Sequence, residues 1–372
     1  MTLPRWLFSP LVVAWVAVEL HAAGMAYALL RQEWDISGFV VLGRDTRWAA
    51  DAAFDPVTRR VTPVGYDGHA YYAVARYPFA DNRSRLDHPV RQARILYPLA
   101  CFLASGGGDG RALVWVMPLM NLFAIGLMTG LAAGYARRCG MSAWWGLLYP
   151  VMVNAMVPAV RDLTDAFAMT AGLALVIAWE RKWPPVALGL VAAAAVLSRE
   201  QNLAVVLVVS AAAVWERRWA AAAALAVGVA TLFAWMTYLF TLYGEWPVMP
   251  TDRNIAAPLE GIRTWYEFES RNEQEWLIRV VYAVFLAGCA LILVWRLVRD
   301  RTPTVAAAIG WGGVALTLLA GPAIAEDYWS YSRALFWLPL GAWAVSVRAG
   351  CRPALAFGVL ALAFNRGTLN VL

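Results

Sequence analysis

Arginine and acid meet at three breaks between apolar blocks of this sequence: Arg161, Asp162 and Asp165; Arg199 and Glu200; and Glu326, Asp327, Tyr328, Tyr331 and Arg333. Ionisable side chains beside apolar spans are costly and mark functional sites by default. A guanidinium offers a planar fork of donors that matches phosphate or carboxylate. Three arginines in separate turns therefore suggest one shared anionic ligand. Each also has a plainer reading, as a partner of the neighbouring carboxylate that caps a helical bundle. Asp162 and Asp165 suit the start of a helix, where negative charge is favoured. Their i, i+3 spacing places both on one helix face, which leaves a role in a cavity open.

A second group lies upstream. Residues Gly65 to Phe79 (GYDGHAYYAVARYPF) space tyrosine and alanine as a short helix at a membrane interface does. Pro78 ends it, and Asp67 reads as its N-cap. His69 and Tyr71 read as interfacial anchors close to Asp67. Further on come Arg91, Arg94, Leu96, Tyr97 and Pro98; if this stretch is helical, Arg91 and Arg94 share a face. Glu19 and His21 fall inside the first apolar block, two residues apart, so they do not face each other. Glu19 either reaches a polar cavity or is a satisfied bundle residue.

The elements that position these groups follow from composition. Of 372 residues 61% are hydrophobic and 15% charged, where a soluble domain has about 45–50% and about 25%. A spanning helix needs about 20 mostly apolar residues. Segments 6–30, 111–136, 140–158, 163–180, 184–198, 201–215, 219–243, 276–298, 303–324 and 331–348 read as spans. The stretches 94–105 and 353–364 are too short to cross unaided, and the 184–198 and 201–215 pair is itself short. Ala26-Tyr27-Ala28 resembles a signal-cleavage site, but the apolar run before it exceeds the roughly 7–15 residues of a signal core, so 6–30 is expected to stay as a span. The expected fold is an all-α polytopic bundle of 10–12 transmembrane helices, a single transmembrane domain over 1–372, with no separate soluble domain and no internal repeat.

Net charge is +6. Much of the basic charge sits in short loops at Arg137-Arg138, Arg181-Lys182, Arg217-Arg218, Arg296/Arg299/Arg301 and Arg348/Arg352. This is the pattern of membrane orientation rather than of nucleic-acid binding. With 94–105 not crossing, all these clusters fall on one side, the cytoplasm. The loops 31–93 and 244–275 then lie outside, together with the turns carrying Arg161, Arg199 and Arg333, where basic residues are unexpected. Lys182 is the single lysine among 31 basic residues, a usage that suggests a GC-rich bacterial genome and so a plasma-membrane location. Cys101, Cys139, Cys289 and Cys351 lie far apart with no metal-ligand spacing, and neither disulfide nor cofactor is expected.

Together these features resemble the GT-C class of membrane glycosyltransferases, particularly bacterial members that use polyprenyl-phosphate-linked sugars. The resemblance rests on the long first outer loop with Tyr66-Asp67-Gly68, on Arg94-Ile95-Leu96-Tyr97-Pro98, on Ser198-Arg199-Glu200 and on Tyr331-Ser332-Arg333. It implies an inverting, metal-independent transfer at the outer face of the membrane, from a lipid-phosphate sugar to a glycan, lipid or protein hydroxyl. Asp67 is the position that matches the class's catalytic base, with Asp45, Asp51 and Asp55 as alternatives, because this loop lacks the Asp-x-Asp pair common in the class. The implied substrate-binding residues are His69, Tyr71, Arg91, Arg94, Arg161, Asp162, Asp165, Arg199, Glu200, Tyr331 and Arg333. Two other classes compete. A transporter or lipid flippase would show internal repeats and mid-membrane charges; a non-catalytic scaffold gives no reason for the cluster of arginine and acid.

Overall fold

The computed structural model describes residues 9–43, 61–62, 65–248, 254–267, 273–300, 304–325 and 328–363. Asp45, Asp51, Asp55, Glu326 and Asp327 lie outside the described residues. Among the described residues the architecture is all-α apart from a two-residue parallel pair, Leu42–Gly43 with Val61–Thr62, and an isolated antiparallel bridge between Ile255 and Ala320. Among the described residues four helices are long and apolar enough to cross a membrane: Pro10–Arg31, Gly110–Arg138, Trp219–Tyr243 and Trp276–Arg299. They carry exposed large apolar side chains such as Leu119, Phe123, Val227 and Leu291, as helices facing lipid would. This is the architecture of a polytopic membrane protein.

The sequence reads as one domain, yet the packing forms two compact units. One comprises Val18–Gly126 and Val157–Met249; the other comprises Met1–Ala17, Leu127–Met156 and Pro250–Leu372. In the first, helix Trp219–Tyr243 packs along Pro185–Ser198, which also meets Asp165–Glu180. The two short spans expected from sequence appear as Pro185–Ser198 and Asn202–Trp215. Val90 and Ala93 pack with Leu239 and Tyr243 at the far end of the long helix. There Tyr243 donates to Gln92 Oε1, Asn82 N–H donates to Tyr243 Oη at 3.2 Å, and Trp235 Nε1 donates to Gln92 O at 3.0 Å. These bonds tie the loop before Arg94 to the bundle.

In the second unit, helices Val305–Leu319 and Trp337–Arg348 pack closely. Gly310 and Gly341 allow it: a Cβ on Gly341 would lie 2.4 Å from Gly310 Cα and 2.8 Å from Ala306 O. Such close backbone approach through small residues is the usual device between membrane helices.

Three expected spans are interrupted, and one of them, 303–324, divides at Ala320-Gly321 into Val305–Leu319 and Pro322–Ala325. Residues 140–158 form a 3-10 turn Ala143–Leu147, a short helix Leu148–Met152 and the start of helix Met156–Arg161. Pro150 and Pro158 supply no N–H, and Asn154 turns the chain with φ 52°, a conformation Asn tolerates better than most residues. Residues 331–348 divide into Tyr328–Ala334 and Trp337–Arg348. The stretch 94–105 is a nine-residue helix, Leu96–Ala104, as its length requires.

Candidate functional site

Helix Asp67–Arg76 begins where expected and ends at Tyr77, before Pro78. Two expectations for it are corrected. Its N-cap is Tyr66, so Asp67 is the first helical residue and its carboxylate is turned to another use. The helix is also buried on every side from Gly68 to Ala75, so His69 and Tyr71 are interior groups rather than interfacial anchors. Gly68 makes the docking possible: a Cβ there would stand 2.4 Å from Arg161 O and 2.8 Å from Val40 O. The Tyr66 amide donates to Val41 O at 3.0 Å, and the Arg161 guanidinium lies over the Tyr66 ring, 5.4 Å from its centre. Sequence positions 39–41, 66–68 and 161 are thereby brought together.

Asp67 faces Arg91 across 2.9 Å, with both side chains nearly buried. Arg91 also holds Asp87, through Nε at 3.2 Å and Nη2 at 3.1 Å. One guanidinium therefore carries two carboxylates. Burial pushes Asp87 up, but Arg91 outweighs it and leaves the carboxyl below its ordinary range. His69 is lowered instead, because burial exceeds the opposing influence of the Tyr66 backbone and of Asp87 and Asp67; its ring is neutral at physiological pH. The loop that lacks an Asp-x-Asp motif thus gains a second acid through space. The sequence reading missed Asp87; its one local signal was the i, i+4 spacing to Arg91.

Arg91 and Arg94 do not share a face. Helix Val90–Ala93 ends at Arg94, which leaves the helical conformation with ψ 56° and turns away. Its Nε and Nη2 grip Glu200 at 2.8 and 2.5 Å, and its Nη1 donates to Tyr71 Oη at 2.8 Å. Burial opposes ionisation of Glu200, but the bidentate contact wins and holds its pKa at about 2. The next arginine, Arg199, is paired with Asp165, and both are buried. Arg199 is thus paired with a distant carboxylate rather than with its neighbour Glu200, which Arg94 holds. Asp162 lies in the turn ahead of helix Asp165–Glu180, fully buried.

Asp67, His69, Tyr71, Arg91, Arg94, Arg161, Asp162, Asp165, Arg199 and Glu200 all belong to one compact unit, and ion pairs and hydrogen bonds connect most of them to one another. Tyr331 and Arg333 belong to the other. Tyr331 is buried against the Tyr282 ring, 4.8 Å between centres, and lines an apolar cleft with Ile262, Ala320, Ile324 and Leu335. Glu19 is on an exposed face of its helix and His21 is buried. Among the described residues no group of three or more His, Cys, Asp or Glu is placed to hold a metal. Comparison of the chain with family models, with curated proteins and with solved structures finds no match.

Proposed function

We propose that the chain is an inverting glycosyltransferase of the GT-C type, a bundle of 10–12 transmembrane helices acting at the outer face of a bacterial plasma membrane. It would move a sugar from a polyprenyl-phosphate donor to the hydroxyl of a glycan, lipid or protein acceptor. The observation that carries the reading is the placement of Asp67, a carboxylate at the start of a buried helix, oriented by Arg91 and flanked by Arg161. In the proposed step Asp67 takes the proton of the acceptor hydroxyl as its oxygen attacks the anomeric carbon. The bond from that carbon to the phosphate oxygen breaks on the opposite side, and the lipid phosphate leaves with the electron pair. A guanidinium in a partly dry site stabilises that developing charge.

Arg161 is the arginine we assign to this second task, since its guanidinium lies over the ring of Tyr66, the residue before Asp67. Arg94 and Arg199 serve Glu200 and Asp165 and fix the scaffold. Arg333 stays a candidate phosphate ligand on the strength of the sequence alone. The reading calls for no cofactor. Asp162 gives a transporter or flippase its one specific support, because a buried acid inside a helical bundle is a feature of proton-coupled carriers.

The test is transfer by purified protein in lipid, offered a panel of polyprenyl-phosphate sugars and hydroxyl acceptors. Transfer from one donor, with affinity for that donor weakened by Arg161→Ala, is the expected result. Binding and translocation of a substrate across vesicles without any glycosidic product would overturn the reading in favour of the carrier.

A further inference from the structure

Asp162 differs from the other acids of its unit. Asp67, Asp87, Asp165 and Glu200 each meet an arginine. Asp162 is 0% exposed, and among the described residues neither of its carboxyl oxygens has a hydrogen-bond partner. Its backbone takes φ 50°, a left-handed conformation that aspartate tolerates better than most residues. The residue beside it, Arg161, is directed over the Tyr66 ring, and Arg199 is engaged by Asp165. The titratable groups that feel an Asp162 charge are Tyr97 and Cys101 of helix Leu96–Ala104.

The polar surroundings are rich in acceptors. Asn121 Nδ2 donates to Tyr97 Oη at 3.0 Å and to Pro158 O at 2.9 Å. The same Pro158 carbonyl receives the Leu163 amide at 3.2 Å, so Asn121 is held alongside the turn that bears Asp162. Asn121 Oδ1 and Thr164 Oγ1 are buried without a partner. A bare carboxylate in such a place loses its hydration with nothing to replace it. A carboxylic acid is neutral and avoids that cost.

We propose that Asp162 is a proton-binding site, a carboxylic acid at neutral pH whose ligand is a proton rather than a metal or alkali cation. Burial raises its pKa well above the ordinary carboxyl value, in agreement with the geometry. The folded chain therefore holds a proton that the unfolded chain releases, and stability falls as pH rises from the ordinary carboxyl range towards the raised value. The inference does not depend on sugar transfer and holds for an enzyme or a carrier alike.

Infrared difference spectroscopy of the full chain in lipid tests it. Subtracting Asp162→Asn from wild type at pH 7 is expected to leave the C=O stretch of a protonated carboxylic acid. In wild type that band should give way reversibly to carboxylate bands as pH is raised, equally in sodium and in potassium salts. Isotope-labelled aspartate in the wild-type chain gives the same pH difference without any variant, in case Asp162→Asn does not fold. Carboxylate bands at pH 7 would overturn the proposal, and so would loss of the acid band in sodium alone, which would make the site a cation site.

Discussion

Both compact units bring helix backbones together through glycines, Gly189 and Gly228 in one and Gly310 and Gly341 in the other, but the unit holding Asp67 adds buried ion pairs. There arginines join distant parts of the chain: Arg94 reaches Glu200, Arg199 reaches Asp165, and Arg91 links Asp67 to Asp87. Apolar close packing is tolerant where it forms no site. Buried ion pairs cost desolvation and are often no more stabilising than apolar replacements, so a unit that uses several of them gains positioning from them. The difference separates a scaffold from a region built to hold charged groups at fixed distances.

Breaking the charged unit should produce the largest stability effect. Arg199→Ala leaves Asp165 buried without its cation, and removal of one partner of a buried pair costs about 3–5 kcal/mol. Thermal unfolding of the purified variant should show this, and the double variant Arg199→Met with Asp165→Leu should recover most of the loss. In the other unit, Gly341→Val forces side-chain atoms against Gly310 and Ala306. Overpacking of this kind costs about 1–3 kcal/mol, and the same unfolding measurement should place it below Arg199→Ala.

A smaller effect depends on pH. The pKa of Glu200 is held at about 2, below its ordinary 4.5, so its bond to Arg94 stabilises the folded chain above that ordinary value. The contribution fades as pH falls from 4.5 towards 2. Glu200→Gln should therefore unfold at lower temperature than wild type at pH 7, and the gap should narrow on acidification. A constant gap would mean that the residue acts through packing.

Much of the scaffold was legible in the sequence because a long apolar run has few alternatives. The helices Pro10–Arg31, Gly110–Arg138 and Trp219–Tyr243 lie within a few residues of their expected ends. The broken spans were not, since composition counts apolar residues and is blind to the left-handed turn at Asn154. At the candidate site, residue types singled out groups that the fold brings into contact, but not the partners they contact. Asp67 reads locally as a cap, because sequence shows only neighbours along the chain and Arg91 lies far along it. The i, i+4 spacing of Asp87 to Arg91 was legible, but its nearness to Asp67 was not, for the same reason. Tyr66-Asp67-Gly68 became intelligible only when Gly68 was seen to make room for the Arg161 carbonyl.

Orientation sharpens the comparison further. Cysteines placed at Ser84 and at Arg138 of a background lacking the native cysteines should label from opposite sides of sealed vesicles, Ser84 from the outside. Labelling of both from one side would remove the outward-facing site.

Asp67→Asn tests the central claim most directly, since asparagine keeps the size of the side chain and can still begin a helix. Single-turnover transfer should fall by at least about a hundredfold, at the lower end of what a general base contributes, while donor affinity changes little; the unfolding temperature drops with the loss of the carboxylate facing Arg91, but Asp87 still holds that guanidinium and the variant stays folded. Near-wild-type turnover in the folded variant would contradict the account and leave Asp67 as the structural partner of Arg91.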